Sequence, residues 1–390
     1  MRIALIGVGN AGSKIADEII RFQEENDRAL ASYVVAINTA RSDLAKLDRI
    51  STEKQILVGQ TDDRVKGHGV GSDPDLGAEV TRRDLQKVER ALDGVPLHEI
   101  DAFVVAGLGG GTGSGGAPVL TDRIRDLFDE PVYGLGILPG TDEGGRASFD
   151  AARSLQSFVN ATDNVLLFDN DSWRGHQDTI EAGYERMNRE LATRFGTLLA
   201  AGNLDDSAVS ENVMDASDVR RTLRAGGIST VAYAEAALES ETKHSKGLLG
   251  RIRTNGTNEE LDTAQKVSGL VRQAVQSRLT CPASVASAKR SLIVISGPPA
   301  EFSRKGVESA RRWIEEQTDS IEVLAGDDPR GSAETLSAAG ILSNVTDIPR
   351  VESRQEQAVD AASNADEQIE TRDEDMQDLI TDDEGTLDPV

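Results

Sequence analysis

Two glycine clusters, one ring and amide pair and one pair of carboxylates carry the chemistry open to this sequence. Gly109-Gly110-Gly111-Thr112-Gly113-Ser114-Gly115 follows the apolar run 102–106, which reads as a buried strand, and leads into 117–128, which reads as a helix. Glycine-dense backbone at that junction lets the chain double back and aim N–H groups into one concavity, and the helix adds the positive end of its dipole. The spacing predicts a phosphate cradle on Gly110, Gly111, Thr112 and Gly113. It lacks the lysine of G-x-x-x-x-G-K-[ST] and is not a P-loop. An earlier cluster, Gly7-Val8-Gly9-Asn10-Ala11-Gly12, matches G-x-G-x-x-G and nominates Gly9, Asn10, Ala11 and Gly12 as a second phosphate-holding turn.

That second motif also fits a nicotinamide- or flavin-dependent oxidoreductase, which wants an acid at the end of the second strand to hold a ribose hydroxyl. Here that strand ends Ala36-Ile37-Asn38-Thr39-Ala40. With the acid missing and a richer glycine loop present, a nucleoside triphosphate held from two sides fits better, and the oxidoreductase is a remote alternative. Tyr184 and Asn188 stand at i and i+4, hence on one helix face. A flat ring beside an amide can stack on a purine and hydrogen-bond its edge, although Tyr184 also lies on an apolar stripe that would bury it. Asp215 and Asp218 stand at i and i+3 where a helix begins. They can face one water together, or simply cap the helix and complement its dipole.

The elements that must position these residues alternate. Strand-like runs at 2–6, 33–38, 55–58, 102–106, 132–138 and 165–168 enclose helical patterns, notably 13–22, 76–92 and 146–159. Alternation of this kind predicts an α/β fold with a parallel Rossmann-like sheet covered by helices on both faces, over residues 1–175. A central helix over 176–204 carries the stripe Ile180, Tyr184, Met187, Leu191, Phe195 and Leu198. Four more strand-like runs (228–236, 291–296, 321–325 and 338–346) and helices at 261–279 and 306–317 predict a second, smaller α/β domain over 205–350. Residues 351–390 hold 14 acids against Arg354 and Arg372 with no aromatic, which predicts a disordered acidic tail.

Composition narrows the classes. The chain has 390 residues and a net charge of −25, and only 10 of its 42 basic residues are lysine. This suits molar intracellular salt, where the Debye length shrinks to about 3 Å and carboxylates repel one another little. A basic stripe able to neutralise phosphates is missing, so nucleic acid is excluded as a partner of the folded body. No run approaches the roughly 18 apolar residues of a membrane span. The first strand-like run starts at residue 2, so the expectation is a cytoplasmic protein without a signal peptide. The single cysteine, Cys281, excludes an internal disulfide or a cysteine metal cluster.

Gly109–Gly115 resembles the GGGTG[ST]G signature of the tubulin/FtsZ superfamily, and other segments resemble it in the same chain order. Gly67-His68-Gly69-Val70-Gly71-Ser72-Asp73-Pro74-Asp75-Leu76-Gly77 is similar to the loop that faces the terminal phosphate. Thr141-Asp142-Glu143-Gly144-Gly145-Arg146 is similar to the ribose loop, which implies that Glu143 accepts from ribose hydroxyls. Phe168-Asp169-Asn170-Asp171 matches the position of the base-contacting Asn, implying that role for Asn170, and Tyr184 and Asn188 correspond to the base-holding residues of the central helix. The segment 210–220, containing Asp215 and Asp218, resembles the loop that completes hydrolysis on the neighbouring subunit. Within the superfamily the sequence is most like the CetZ proteins of salt-loving archaea. It departs from FtsZ in Ala40 after Asn38-Thr39, where FtsZ has Asp, and in lacking the apolar and basic docking peptide at its end. The resemblance implies GTP/GDP and Mg2+ as ligands, the ion bridging phosphate oxygens, and head-to-tail self-assembly with hydrolysis between subunits. Cell-shape control is then the expected process. A division GTPase of FtsZ type, or a GTP-binding regulator that does not polymerise, are the alternatives. The tail's partner stays open.

Overall fold

The computed structural model describes residues 1–95, 99–174, 179–201, 214–238 and 256–357. The first half contains β1 (Ile3–Val8), α1 (Gly9–Glu25), β2 (Ala31–Asn38), α2 (Arg41–Leu44), β3 (Gln55–Leu57), α3 (Pro74–Arg83), α4 (Leu85–Leu92), β4 (Asp101–Gly107), α5 (Gly111–Leu127), β5 (Val132–Leu138), α6 (Gly145–Ala161), β6 (Asn164–Asp169) and α7 (Asn170–Trp173). Its strands are parallel and lie in the order β3-β2-β1-β4-β5-β6. β1, β5 and β6 are buried at every residue. Helices on both faces of a parallel sheet require this, and the continuous apolar runs of the sequence follow from it.

One helix expected over 76–92 is two. The backbone leaves the helix at Asp84 (φ −97°, ψ 13°), and the Asp84 carboxylate accepts the Gly59 N–H at 2.8 Å. An Asp side chain competing for backbone donors is a common way to break a helix.

The central helix α8 (Ile180–Ala200) is capped by Thr179, whose side chain accepts the Ala182 N–H. Met187, Leu191, Phe195 and Leu198 form its buried stripe. Gly196 lets the Phe22 ring of α1 press against it, since a Cβ there would lie 2.2 Å from that ring. Beyond α8 come α9 (Ala216–Leu223), β7 (Ile228–Ala237), α10 (Gly256–Gln276), β8 (Arg290–Gly297), α11 (Arg304–Gln317), β9 (Glu322–Pro329) and β10 (Thr335–Ser343). The smaller α/β unit adds its four strands to the edge of the first sheet in the order β7-β10-β8-β9. The join is narrow: β7 meets β6 at Val165–Ile228 and Leu166–Ser229.

The acidic tail begins later than its composition suggests. Residues 349–357 are helical, with Val351 and Arg354 buried. Val351 joins the apolar core, and Arg354 donates to the Ser148 hydroxyl at 2.9 Å and to the Pro139 carbonyl. The expected boundary at 351 is therefore seven residues early, because one apolar and one well-partnered basic residue suffice to hold another two turns. Residues 358–390 lie outside the described residues.

Candidate functional site

The strand order reverses between β1 and β4, and open α/β sheets bind ligands beyond the strand ends at such a switch. There α1 and α5 begin side by side. Gly9 has φ +74°, and a Cβ on it would lie 2.9 Å from the Gly113 nitrogen, so only glycine allows the two helix starts to touch.

The Gly109–Gly115 cluster is not the open, doubling-back loop that its composition predicts. α5 starts at Gly111, and none of Gly109–Gly116 has a positive φ. These glycines serve close packing instead: a Cβ would lie 2.4 Å from the Gly107 carbonyl at Gly113 and 1.9 Å from the Pro74 carbonyl at Gly115. For an anion the result is similar. The first N–H groups of a helix have no partner within it, and here two helix starts aim theirs at one place.

A cavity of about 1060 Å³ opens at this point. Gly9, Asn10, Ala11, Gly110, Gly111, Thr112 and Gly113 line it. Gly12 does not. It packs against β4, where a Cβ would lie 2.0 Å from the Val105 carbonyl, so its part is to seat α1 on the sheet. The Thr112 hydroxyl meets that of Thr39 at 2.6 Å, tying α5 to the end of β2. Residues 68–72 form another wall, with left-handed backbone at Gly69, Gly71 and Ser72 and, just before it, at Lys66 and Gly67. This loop is held to β2 by the Gly69 N–H on the Thr39 carbonyl at 3.2 Å and the Arg41 N–H on the Gly67 carbonyl at 2.9 Å.

Glu143, Asn170, Tyr184 and Asn188 line the opposite side. Glu143 accepts the Gly140 N–H at 2.7 Å and the Asn170 amide at 3.4 Å through one oxygen. Partial burial, the negative Glu143 carboxylate and a hydrogen bond to it push the Tyr184 hydroxyl up to about 12. Three residues expected separately at ribose and base thus form one cluster, with Asn188 one turn along α8.

Sequence reasoning passed over other residues of this cavity. Asn38 entered only as the missing acid of a dinucleotide enzyme. Its Oδ1 accepts the N–H groups of Thr39 (2.8 Å) and Ala40 (3.3 Å), leaving Nδ2 buried without a partner at the cavity wall. Such a donor suits an anionic oxygen. Lys14 and Lys46 also line the cavity. The available signal was scarcity, for a chain with ten lysines has two of them here.

Asp215 and Asp218 lie elsewhere. They form a capping box at the start of α9: Asp215 accepts the N–H groups of Ser217 (2.6 Å) and Asp218 (3.1 Å), and Asp218 accepts the Asp215 N–H at 3.3 Å. The Ser217 side chain, ahead of these N–H groups, holds the Asp215 carboxyl below its usual range. One turn on, Arg220 donates to the buried Asp101 at 2.7 Å, at the amino end of β4. The cradle follows the carboxyl end of that strand. Its seven residues span roughly 20 Å. The carboxylates and the cavity therefore lie beyond opposite ends of β4. Residues 210–213 of the expected catalytic loop lie outside the described residues.

Two family models divide the chain between them: the GTPase domain of the tubulin/FtsZ family matches residues 2–178, and the C-terminal domain of tubulin-like CetZ matches 177–360. Their boundary falls just before α8, so the helix bearing Tyr184 and Asn188 opens the second match. CetZ1 of Haloferax volcanii is 46% identical over 374 residues, covering 94% of either chain. The chain belongs to the CetZ family. The solved GDP-bound monomer of CetZ1 superposes with a TM-score of 0.82 at 42% identity, over 93% of this chain and 100% of that one. A GTPγS-bound protofilament of CetZ2 from the same organism gives 0.82 at 40%, over 94% and 100%. No described helix of this CetZ protein is long and apolar enough to cross a membrane, and no group of three or more His, Cys, Asp or Glu gathers as a metal site among the described residues. Cys281 is a free, buried thiol.

Proposed function

We propose that this CetZ protein binds GTP in the cavity, assembles head to tail and hydrolyses GTP across the contact between subunits, as a cytoskeletal polymer of cell-shape control. The separation of the Asp215–Asp218 pair from the cradle by the length of β4 carries the reading: one subunit cannot bring both to a single nucleotide, whereas a neighbour can. The solved relatives, one bound to GDP and one a GTPγS protofilament, support the same assignment.

In this scheme the helix starts at Gly9 and Gly111 and the Asn38 amide hold phosphate oxygens, with Lys14 and Lys46 supplying positive charge. Glu143 accepts from ribose hydroxyls, Tyr184 stacks on guanine, and Asn188 and Asn170 hydrogen-bond its edge. The donor set fits a magnesium ion entering with the nucleotide: the Thr39 and Thr112 hydroxyls are neutral oxygens in the cavity wall that would hold it, and it would supply neutralisation of phosphate charge. Asp215 and Asp218 of one subunit orient the water that attacks the γ-phosphate of the next, giving GDP and phosphate. A head-to-tail contact is heterologous and does not close, so it builds filaments.

The capping box favours a second reading, a GTP-binding regulator in which both aspartates serve α9 alone. GTPase rate per molecule, measured against protein concentration in molar KCl, separates them. A site shared between subunits gives a rate that rises from near zero past a threshold concentration. A constant rate removes the interface mechanism.

A further inference from the structure

The helix at 349–357 reaches back to the nucleoside side of the cavity, about 180 residues away in sequence. Arg350 donates through Nε to Asp169 at 3.3 Å and through Nη2 to Asp171. These two aspartates flank Asn170, the first residue of α7. Asp171 in turn accepts the Thr141 N–H at 2.8 Å and its hydroxyl at 3.2 Å, which fixes the turn carrying Glu143. Asp169 is buried and spans to the Ser172 hydroxyl at 2.7 Å, so its second oxygen is already committed. One turn further along, Arg354 is 2% exposed and grips the Pro139 carbonyl and Ser148, immediately before and after the same turn. Arg350 therefore acts on α7 and, through Asp171, on Thr141, while Arg354 acts on the 139–148 segment, and neither lines the cavity itself.

We propose that Arg350 is a positioning residue of the nucleotide site, which holds Asn170 and the Glu143 turn in the one arrangement that receives the ribose. A planar guanidinium suits this task because it meets two carboxylates at fixed angles, where an ammonium would meet one. Without it, Asp169 and Asp171 repel one another on either side of Asn170, and the Thr141 anchor loosens.

This rests on the assignment of Glu143 to the ribose, and the test keeps the two apart. GTP and 2′,3′-dideoxy-GTP are titrated into the full-length parent, Arg350→Ala, Arg350→Lys and Asp171→Asn, with thermal melting of each. The parent should prefer GTP. Arg350→Ala should weaken GTP about tenfold, the scale of one charge-assisted hydrogen bond, while dideoxy-GTP affinity barely changes, so that the preference collapses. Arg350→Lys should recover only part of it. Asp171→Asn should act in the same direction, and adding it to Arg350→Ala should do little more, because both break one chain of contacts. A merely structural ion pair would lower the melting temperature and weaken both nucleotides alike. Arg350→Ala with the parent's preference intact overturns the proposal. A parent that does not distinguish the two nucleotides overturns the ribose assignment, and the positioning role with it. Should Arg350→Ala fail to fold, Asp171→Asn decides by the same preference.

Discussion

The two sides of the cavity are built from different material. The side proposed for the phosphates is mainly backbone: two helix starts, brought into contact by glycines within a few residues of strand ends, with the Asn38 amide, Lys14 and Lys46 beside them. The nucleoside side is side chains from four distant segments, namely Glu143, Asn170, the pair Tyr184 and Asn188, and the Arg350 that holds α7. Where its segments touch, a backbone site tolerates no added atom and resists graded change. A side-chain site can lose one member and keep working less well, and it can be adjusted from far along the chain. Substitution should therefore be all-or-none on the first side and graded on the second.

The sharpest break of that contrast is Gly12→Ala. Its new Cβ meets the Val105 carbonyl at 2.0 Å, and because that atom is backbone, α1 must move off the sheet. The expected cost is about 3 kcal/mol, at the upper end for overpacking, with GTP binding lost altogether. Gly110→Ala is the matched control. A Cβ there meets nothing within 4 Å and the φ of −108° suits any residue, so its melting temperature should equal the parent's. If Gly12→Ala melts and binds like Gly110→Ala, packing is not what those glycines are for.

Next in size is Asp218→Asn. The amide oxygen can still accept the Asp215 N–H, so the cap survives while the charge goes. Turnover should fall roughly 10²-fold, the usual scale for losing a group that positions or activates a reacting water. GTP affinity should stay within about twofold, because α9 is a strand length from the bound nucleotide, and filaments should persist longer. Unchanged turnover would hand both aspartates to the capping role.

Graded loss should appear at the base. Tyr184→Ala and Asn188→Ala are each expected to weaken GTP, by about tenfold, a typical loss for one stacking or hydrogen-bonding contact. They differ in kind. Stacking does not distinguish purines and edge hydrogen bonds do, so competition with ATP should reveal eroded guanine preference in Asn188→Ala alone. Equal erosion in both variants, or in neither, moves base recognition to Asn170.

The same contrast explains what the sequence could tell. The glycine-built wall of the cavity was legible because its parts are local: a strand, glycines and a helix follow one another, so Gly9 and Gly111–Gly113 could be read off as residues that come together there. Their mechanism was read less well. Glycine density suggested a loop that doubles back, whereas the structure uses it for close packing of helix on strand and of helix on helix, which depends on partners such as Val105 and Pro74 that no local pattern names. Asp84 likewise broke a helix through a bond to Gly59, 25 residues earlier. Asn38 and the arginines of 349–357 were passed over for the same reason, since their partners lie across the fold. Composition misled at Arg354 in particular, for a lone arginine in an acidic stretch reads as solvated until the Pro139 carbonyl is found beside it.

The smallest expected effect comes from removing the rest of that stretch, and it tests where the folded body ends. Residues 358–390 carry twelve acids against Arg372, which gives a net charge of −11. Truncation after Gln357 should leave the melting temperature, GTP affinity and GTPase rate at parent values, because no described contact is removed. Truncation after Arg350 also removes Val351 from the core and Arg354 from Pro139 and Ser148. That cut should lower the melting temperature and weaken GTP severalfold, even though it deletes only seven residues more. Between filaments the longer tail should act through its charge, as like-charged brushes that repel over a range set by salt. Filaments cut after Gln357 should then bundle more than the parent's at low salt, with the difference fading toward molar KCl. Equal behaviour of the two truncations would return the boundary to 351 and leave the helix at 349–357 without a part in nucleotide binding.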